Sequence, residues 1–279
     1  MIGVFAKVTE PLGIIAGGGP LPSRVAEALD RSGQNYVMIA LTGVSSPETI
    51  SKTDHCYGMG ALGRVIDTFQ DHHIAQYIMI GPVTRPGFDQ LELDAVGNEV
   101  IERFLAQGGG GDDALLRLIT ERLAEAGLVA LPAESVLVDV AAPSGLLSAA
   151  EATKYATDIA LGRALLEQLS PFDVGQACVV ESGQVLAIEG PEGTDNMLRR
   201  VQDILSARGE RAPNGVLVKL PKAGQERRVD LPTLGLQTVE GVRDAGLAGL
   251  VYQGGGTLLI DREACVALAN RHHLFLLGL

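Results

Sequence analysis

Basic residues are in short supply in this chain: 22 lysines and arginines stand against 34 aspartates and glutamates, a formal net charge of -12 over 279 residues. A phosphate backbone calls for a basic surface, so broad nucleic-acid binding is excluded as the main activity. The same charge works against adhesion to an anionic membrane surface. Cysteine is scarce too. Cys56, Cys178 and Cys265 are widely spaced, odd in number and form no CxxC pair. That excludes a disulfide framework and a zinc site; they read as small buried hydrophobes in a reducing compartment. No apolar run reaches the roughly 18 residues that span a bilayer. Met1 to Glu10 lack the basic start and long apolar stretch of a secretory signal. The expectation is a soluble, cytoplasmic protein.

Familiar catalytic signatures are also missing. There is no GxSxG turn, and the neighbours His55-Cys56 have no spacing that marks a nucleophile and its base. GxGxxG is absent, and the second apolar run ends Ala40-Leu41-Thr42-Gly43 with no acid for a ribose diol, which argues against dinucleotide redox chemistry. The adjacent pairs His72-His73 and His272-His273 point in different directions on any regular element, so they make weak ligand sets. Aromatic residues are only 4% of the chain and mean hydropathy is +0.21. The core is therefore expected to be built of Leu, Val, Ile and Ala. Neither an internal repeat nor a low-complexity tract is present.

What remains is an alternating α/β pattern. Leu12 to Ala16 is a short apolar run closed by Gly17-Gly18-Gly19-Pro20; helical spacing then puts Leu21, Val25, Ala28 and Leu29 on one face. Tyr36 to Leu41 is a second apolar run, Met59 to His73 a helix, Tyr77 to Gly81 another buried strand, and Asp113 to Ala126 a helix opened by acids. This is the opening of a parallel sheet. Ala141-Ala142-Pro143-Ser144-Gly145 has the composition of a linker, with Ser148 or Thr153 starting the next helix, which ends near Leu169. Ala177 to Glu181 and Gln184 to Glu189 flank Ser182-Gly183 as a hairpin. Val216 to Leu220, Gly249 to Tyr252 and Leu258 to Ile260 are further strands; Thr238 to Ala245 and Arg262 to Arg271 are helices. The predicted architecture is α/β: a Rossmann-like nucleotide-binding domain over residues 12–140, a linker over 141–150, and a mixed α/β catalytic domain over 151–279.

Candidate site residues lie in both halves. The turn Gly17, Gly18, Gly19 follows a strand and precedes a helix, a context in which backbone N–H groups reach a phosphate; its alternative is a tight turn serving geometry alone. Arg85 follows a strand's carboxyl end in Ile80-Gly81-Pro82-Val83-Thr84-Arg85-Pro86. Gly108 to Gly111 lead into Asp112 and Asp113, either a ligand site or a flexible loop with a helix cap. In the second half, Glu189-Gly190-Pro191-Glu192-Gly193-Thr194-Asp195 gathers oxygen donors on one turn, though Thr194 or Asp195 could equally be a helix cap. Eight of the 22 lysines and arginines fall between Arg199 and Arg228, among them Lys219, Lys222, Arg227 and Arg228. Acids able to hold a divalent ion beside bases able to hold phosphate point to metal-assisted phosphate chemistry. Asp230, two residues from Arg228, is a carboxylate expected to stay ionised, as a metal ligand or an acceptor of a water proton; the alternative is a surface salt bridge.

These segments resemble, from Leu12 to the C-terminus, the magnesium-dependent UDP-2,3-diacylglucosamine pyrophosphatases of lipid A synthesis, of the type unrelated to calcineurin-like phosphoesterases. The resemblance is carried by Gly13 to Pro22, Ile80 to Pro86, Gly111 to Arg117, Asp173-Val174-Gly175-Gln176, Glu192 to Met197 and Arg228 to Thr233, in the family's order. The chain departs from the pattern at Pro221 to Glu226, where Lys-Pro-Gly-Gln-Asp is the family's sequence. The resemblance implies hydrolysis to UMP and 2,3-diacylglucosamine 1-phosphate, two domains with the ligand between them, a homodimer, and transient contact with the inner membrane surface. The acid and base clusters lead to the expectation of Mg²⁺ held by Asp230 with Glu192 or Asp195, and of catalytic roles for Asp230, Lys219, Lys222 and Arg228. The resemblance implies substrate contacts from Gly17, Gly18, Gly19, Leu21, Arg85, Asp112, Gln176, Thr194, Arg227 and Thr233. Two acyl chains would need an apolar chamber, each buried methylene contributing about 0.8 kcal/mol. Two alternatives stay open: a pyrophosphatase for soluble nucleotide sugars, and a non-catalytic carrier or sensor of a nucleotide-linked lipid.

Overall fold

The computed structural model describes residues 10–53, 55–83, 86–133, 136, 140–209, 212–222 and 231–279. They fall into two compact units that divide at Val140.

The first unit is a parallel sheet with helices. Its strands are β1 (Leu12–Ala16), β2 (Tyr36–Leu41), β3 (His55–Tyr57), β4 (Gln76–Ile80) and β5 (Val129–Ala130), in the order β3-β2-β1-β4-β5. Its helices are α1 (Leu21–Ser32), α2 (Pro47–Ile50), α3 (Leu62–Asp71), α4 (Ala95–Ala106) and α5 (Asp112–Glu125). β1 is central, with Ile14 paired to Met38 on one side and Ile78 on the other. A strand buried on both faces reads as a continuous apolar run, which is why Leu-Gly-Ile-Ile-Ala was legible as β1. Phe69, Tyr77, Phe104 and Leu123 anchor the core. The sheet order reverses direction between β1 and β4, and open α/β sheets bind ligands outside the carboxyl ends of their strands at such a point.

α3 and α4 share one capping residue. Asp94 Oδ1 accepts the Gly97 N–H of α4 at 2.7 Å, while Oδ2 accepts the Gly63 N–H of α3 at 2.7 Å and that of Arg64 at 3.2 Å. Ala61, at the start of α3, offers no side-chain cap of its own. Asp94→Ala is expected to lower the unfolding free energy by about 2–3 kcal/mol, more than one cap contributes; chemical denaturation of the two proteins measures it.

The second unit holds β6 (Gly145–Leu146), α6 (Ala156–Leu169), β7 (Ala177–Glu181), β8 (Gln184–Ile188), α7 (Gly193–Ser206), β9 (Val216–Lys219), β10 (Thr233–Leu234), α8 (Leu236–Asp244), β11 (Gly249–Tyr252), β12 (Leu258–Leu259), α9 (Arg262–Arg271) and β13 (Phe275–Gly278). Its main sheet runs β6-β13-β11-β9-β7-β8, parallel through β13, β11 and β9 and antiparallel at both ends, with β10 and β12 as a separate parallel pair. Side chains alternate across it. Ala177, Val179 and Leu217 face Met197, Leu198, Val239 and Cys265 of the α7–α9 layer. Cys178, Val180, Val216 and Val218 face Tyr155, Ile159 and Leu166 at α6. Ser182 and Gly183 both take positive φ, the geometry of a tight hairpin turn, and the buried Asp158 carboxylate accepts both their N–H groups.

Two sequence expectations need correction. The stretch 141–150 is built into the second sheet: Leu146 pairs with Leu277, Leu147 N–H donates to Leu276 O, and Ala142 N–H to Thr257 O. Of the two expected helix starts, Ser148 opens none, its hydroxyl accepting the Leu276 N–H at 2.9 Å, while Thr153 opens a 3-10 turn, Thr153–Tyr155, that runs into α6 at Ala156. Edge strands tolerate the Gly, Pro and Ser that make a stretch look like a linker. Among the cysteines, Cys178 and Cys265 are buried as expected but Cys56 is exposed. Burial pushes the Cys178 thiol up to about 12 and, with Asp261 adding to it, the Cys265 thiol up to about 11. Only thiolates react, so iodoacetamide at pH 8 is expected to add one group to the native protein, at Cys56. Two or more adducts by intact-protein mass spectrometry would contradict this.

Candidate active site

In the first unit the Gly17-Gly18-Gly19 turn packs against Gly81-Pro82, joining the carboxyl ends of β1 and β4. The N–H of Gly17 donates to Ile80 O at 2.8 Å and that of Gly18 to Pro82 O at 2.8 Å. A Cβ on Gly17 would lie 2.9 Å from Pro82 O, so this position tolerates no side chain. The N–H groups of Gly17 and Gly18 are thus committed to β4 and the loop after it, not left as a phosphate cradle; these two glycines serve close backbone approach. Gly19 is the exposed one of the three, with φ 71° at the start of α1. Leu21, expected to touch substrate, has its side chain in the interior at 3% exposure. Asp112 is exposed at the first turn of α5, where Asp113 pairs with Arg117 at 2.6 Å. Arg85, Arg227, Arg228 and Asp230 lie outside the described residues.

In the second unit four expected residues converge, and a fifth organises them. β9 ends at Lys219, a buried residue at 6% exposure. Lys219 Nζ donates to Thr194 Oγ1 at 2.9 Å and to the Thr233 carbonyl at 3.3 Å. The Thr194 hydroxyl donates to Glu189 Oε1 at 2.5 Å, and Glu189 Oε2 accepts the Gln176 backbone N–H at 2.8 Å. Glu189 is 7% and Thr194 8% exposed. An ionised carboxylate only accepts, so the hydroxyl proton points to Glu189 and the hydroxyl's lone pairs are left for the ammonium. A buried cation and a buried anion are thereby joined through one hydroxyl, which is how charges persist away from water. The Gln176 side-chain Oε1 is buried and has no hydrogen-bond partner among the described residues. Gly175 lets this loop close: a Cβ there would lie 2.8 Å from the Glu189 carbonyl carbon.

The surrounding acids behave differently from one another. Glu192 is exposed and pairs with Arg200 at 2.7 Å. A hydrogen bond from its own backbone N–H, and then the Arg200 guanidinium, hold its carboxyl below the usual range. Asp195 is half-buried and accepts the Gln237 amide at 2.7 Å. Neither Thr194 nor Asp195 caps α7; Glu192 occupies the cap position without a side-chain bond. Lys222 pairs with Asp173. Among the described residues no three His, Cys, Asp or Glu side chains gather as a cation site. Asp195, steadied by an amide, suits a magnesium ligand whose other donors are phosphate oxygens; Glu192, committed to Arg200, does not.

Such a cluster can fix a desolvated positive charge beside an anionic ligand. Residues 11–140 match the family model "LpxI N-terminal domain" and residues 143–277 the model "LpxI C-terminal domain". UDP-2,3-diacylglucosamine pyrophosphatase LpxI of Caulobacter vibrioides is 37% identical over 270 residues, 96% of this chain and 96% of that protein. This chain belongs to the LpxI family. Membership places both units, and the Lys219–Thr194–Glu189 group, within the family's two domains. Glu189 was visible in the sequence only as the first acid of its stretch. The signal that could have marked it is a lone carboxylate closing an apolar strand directly before a glycine.

Proposed function

We propose that this chain hydrolyses the pyrophosphate bond of UDP-2,3-diacylglucosamine, releasing UMP and 2,3-diacylglucosamine 1-phosphate in lipid A biosynthesis. The observation that carries the reading is 37% identity across 96% of both chains to a protein bearing that activity in its name. The buried Lys219 ammonium is the group in the described residues best suited to a diphosphate.

In the reaction an oxygen of water bonds to one phosphorus while the bridging P–O bond breaks, and the bridging oxygen leaves with the other phosphate. Charge gathers on the phosphoryl and leaving oxygens. An ammonium preset in a water-poor site stabilises that charge more than a solvated one and needs no reorganisation. Lys219 is so placed, anchored from behind by Thr194 and the Thr233 carbonyl. Lys222, Arg228 and Arg227 add positive charge, with Lys222 steered by Asp173. Asp230 accepts a proton from the attacking water. Asp195 and Asp230 would hold Mg²⁺, which would supply positive charge to the phosphates and make a water more acidic. Attack at the sugar-side phosphorus leaves the bridging oxygen on UMP. Hydrolysis in oxygen-18 water is therefore expected to label the lipid phosphate; label in UMP would overturn this choice.

A substrate with two acyl chains places the enzyme in transient contact with the inner membrane surface from the cytoplasm. Among the described residues no helix is long and apolar enough to cross a membrane. The family resemblance supports a homodimer, which sedimentation equilibrium tests.

The deciding experiment compares UDP-2,3-diacylglucosamine with UDP-N-acetylglucosamine, with and without EDTA. Turnover of the diacylated substrate alone, lost on chelation, is expected. Equal rates would favour the soluble nucleotide-sugar reading, and tight binding without turnover a carrier.

A further inference from the structure

We infer that Glu189 is the positioning residue of this site, one buried carboxylate that sets two arms at once. This rests on the reading of Lys219 as a diphosphate-binding cation. One oxygen takes the Thr194 hydroxyl at 2.5 Å and so aims its lone pairs at Lys219; the other takes the Gln176 N–H at 2.8 Å and so fixes the residue whose buried Oε1 lacks a partner among the described residues. Among the described residues the other buried carboxylates of this unit bind elsewhere: Asp158 holds the hairpin turn and Glu181 pairs with Arg208.

The arrangement depends on polarity more than on shape. In Glu189→Gln the amide oxygen can still accept the Gln176 N–H, but the NH₂ group then meets Thr194 as a donor. Thr194 must accept that proton where it accepted only the ammonium, and its own proton loses its partner. Lys219 is displaced although the side chain at 189 has the same size. A shift of this kind, away from the reacting atoms, lowers kcat by about 100-fold when geometry is tight. Thr194→Val cuts the same link one atom further on, and Thr194→Ser keeps it.

The test is a double-mutant cycle with E189Q and T194V, read by kcat and KM on UDP-2,3-diacylglucosamine and by calorimetric titration with UDP, which needs no turnover. Each single variant is expected to lose about 100-fold in kcat and about 10-fold in UDP affinity. The double variant should fall no more than about 3-fold below the worse single, because the two act through one hydroxyl. T194S should recover most of the loss seen in T194V and melt within a few degrees of the native protein, while E189Q melts lower because Lys219 is then a buried cation without its counter-charge. Losses that multiply, or an E189Q enzyme with native kcat and UDP affinity, would overturn the inference. Should E189Q fail to fold, T194V against T194S decides alone, and a T194V enzyme of native rate overturns it. A wild type inert on the diacyl substrate whose UDP titrations still couple sinks the proposed reaction but not the role of Glu189. Absence of both turnover and UDP binding sinks both.

Discussion

Replacing Lys219 with methionine is expected to lower kcat by about 1,000-fold, the upper range for removing one preset charge-stabilising donor. The residue is 6% exposed and its side chain bonds Thr194 and the Thr233 carbonyl, so water cannot substitute for the lost ammonium. The same change should destabilise the second unit by about 3–5 kcal/mol, because Glu189 is left as a buried anion without its counter-charge. These two effects separate in Lys219→Met combined with Glu189→Gln. Removing both charges should restore most of the stability, since Glu189 no longer stands as a buried anion, and none of the rate. Lys219→Arg is a poor rescue, a planar fork in a space shaped for a compact ammonium. Steady-state kinetics and denaturant unfolding on the four proteins check each part. A K219M enzyme of near-native kcat would remove Lys219 from the chemistry.

The second large effect is expected at Asp230. Asp230→Ala should reduce kcat by about 1,000-fold, within the range for a general base, while UDP affinity stays within a few-fold of wild type. That split distinguishes a group acting on the water from one that binds the nucleotide, since loss of ground-state binding would raise KM and leave kcat. Asp230 sits two residues from Arg228 and directly before Leu231-Pro232, where the proline holds Leu231 extended. A variant with native kcat and weakened UDP binding would make Asp230 a binding residue.

How far the sequence reached depends on how local each signal is. β1, the glycine turn and α1 were legible because a buried parallel strand and an amphipathic helix each write their period into neighbouring residues. The β7–β8 hairpin was legible from Ser182-Gly183 alone. α4 was missed: Gly97 and Asn98 weaken its local propensity, and its cap, Asp94, is shared with α3 across some thirty residues. The edge strand at Gly145–Leu146 was hidden by linker-like composition. At the site, residue types were readable but bond directions were not. Gly17 and Gly18 looked like a phosphate cradle until the partners of their N–H groups, on β4 and its loop, were known. Thr194 and Asp195 read equally as helix caps or as ligand residues, and Glu192 as a metal ligand; spacing did not show that Glu189, Gln237 and Arg200 are their partners. The fate of a carboxylate is settled by tertiary neighbours that spacing does not name.

Phosphorus-31 NMR of UDP-2,3-diacylglucosamine mixed with the protein and Mg²⁺ addresses the central claim most directly. The account expects both diphosphate resonances to disappear and two phosphomonoester signals to replace them in equal amounts, UMP and the lipid 1-phosphate. Diphosphate resonances that persist, merely broadened by a bound lipid, would contradict it.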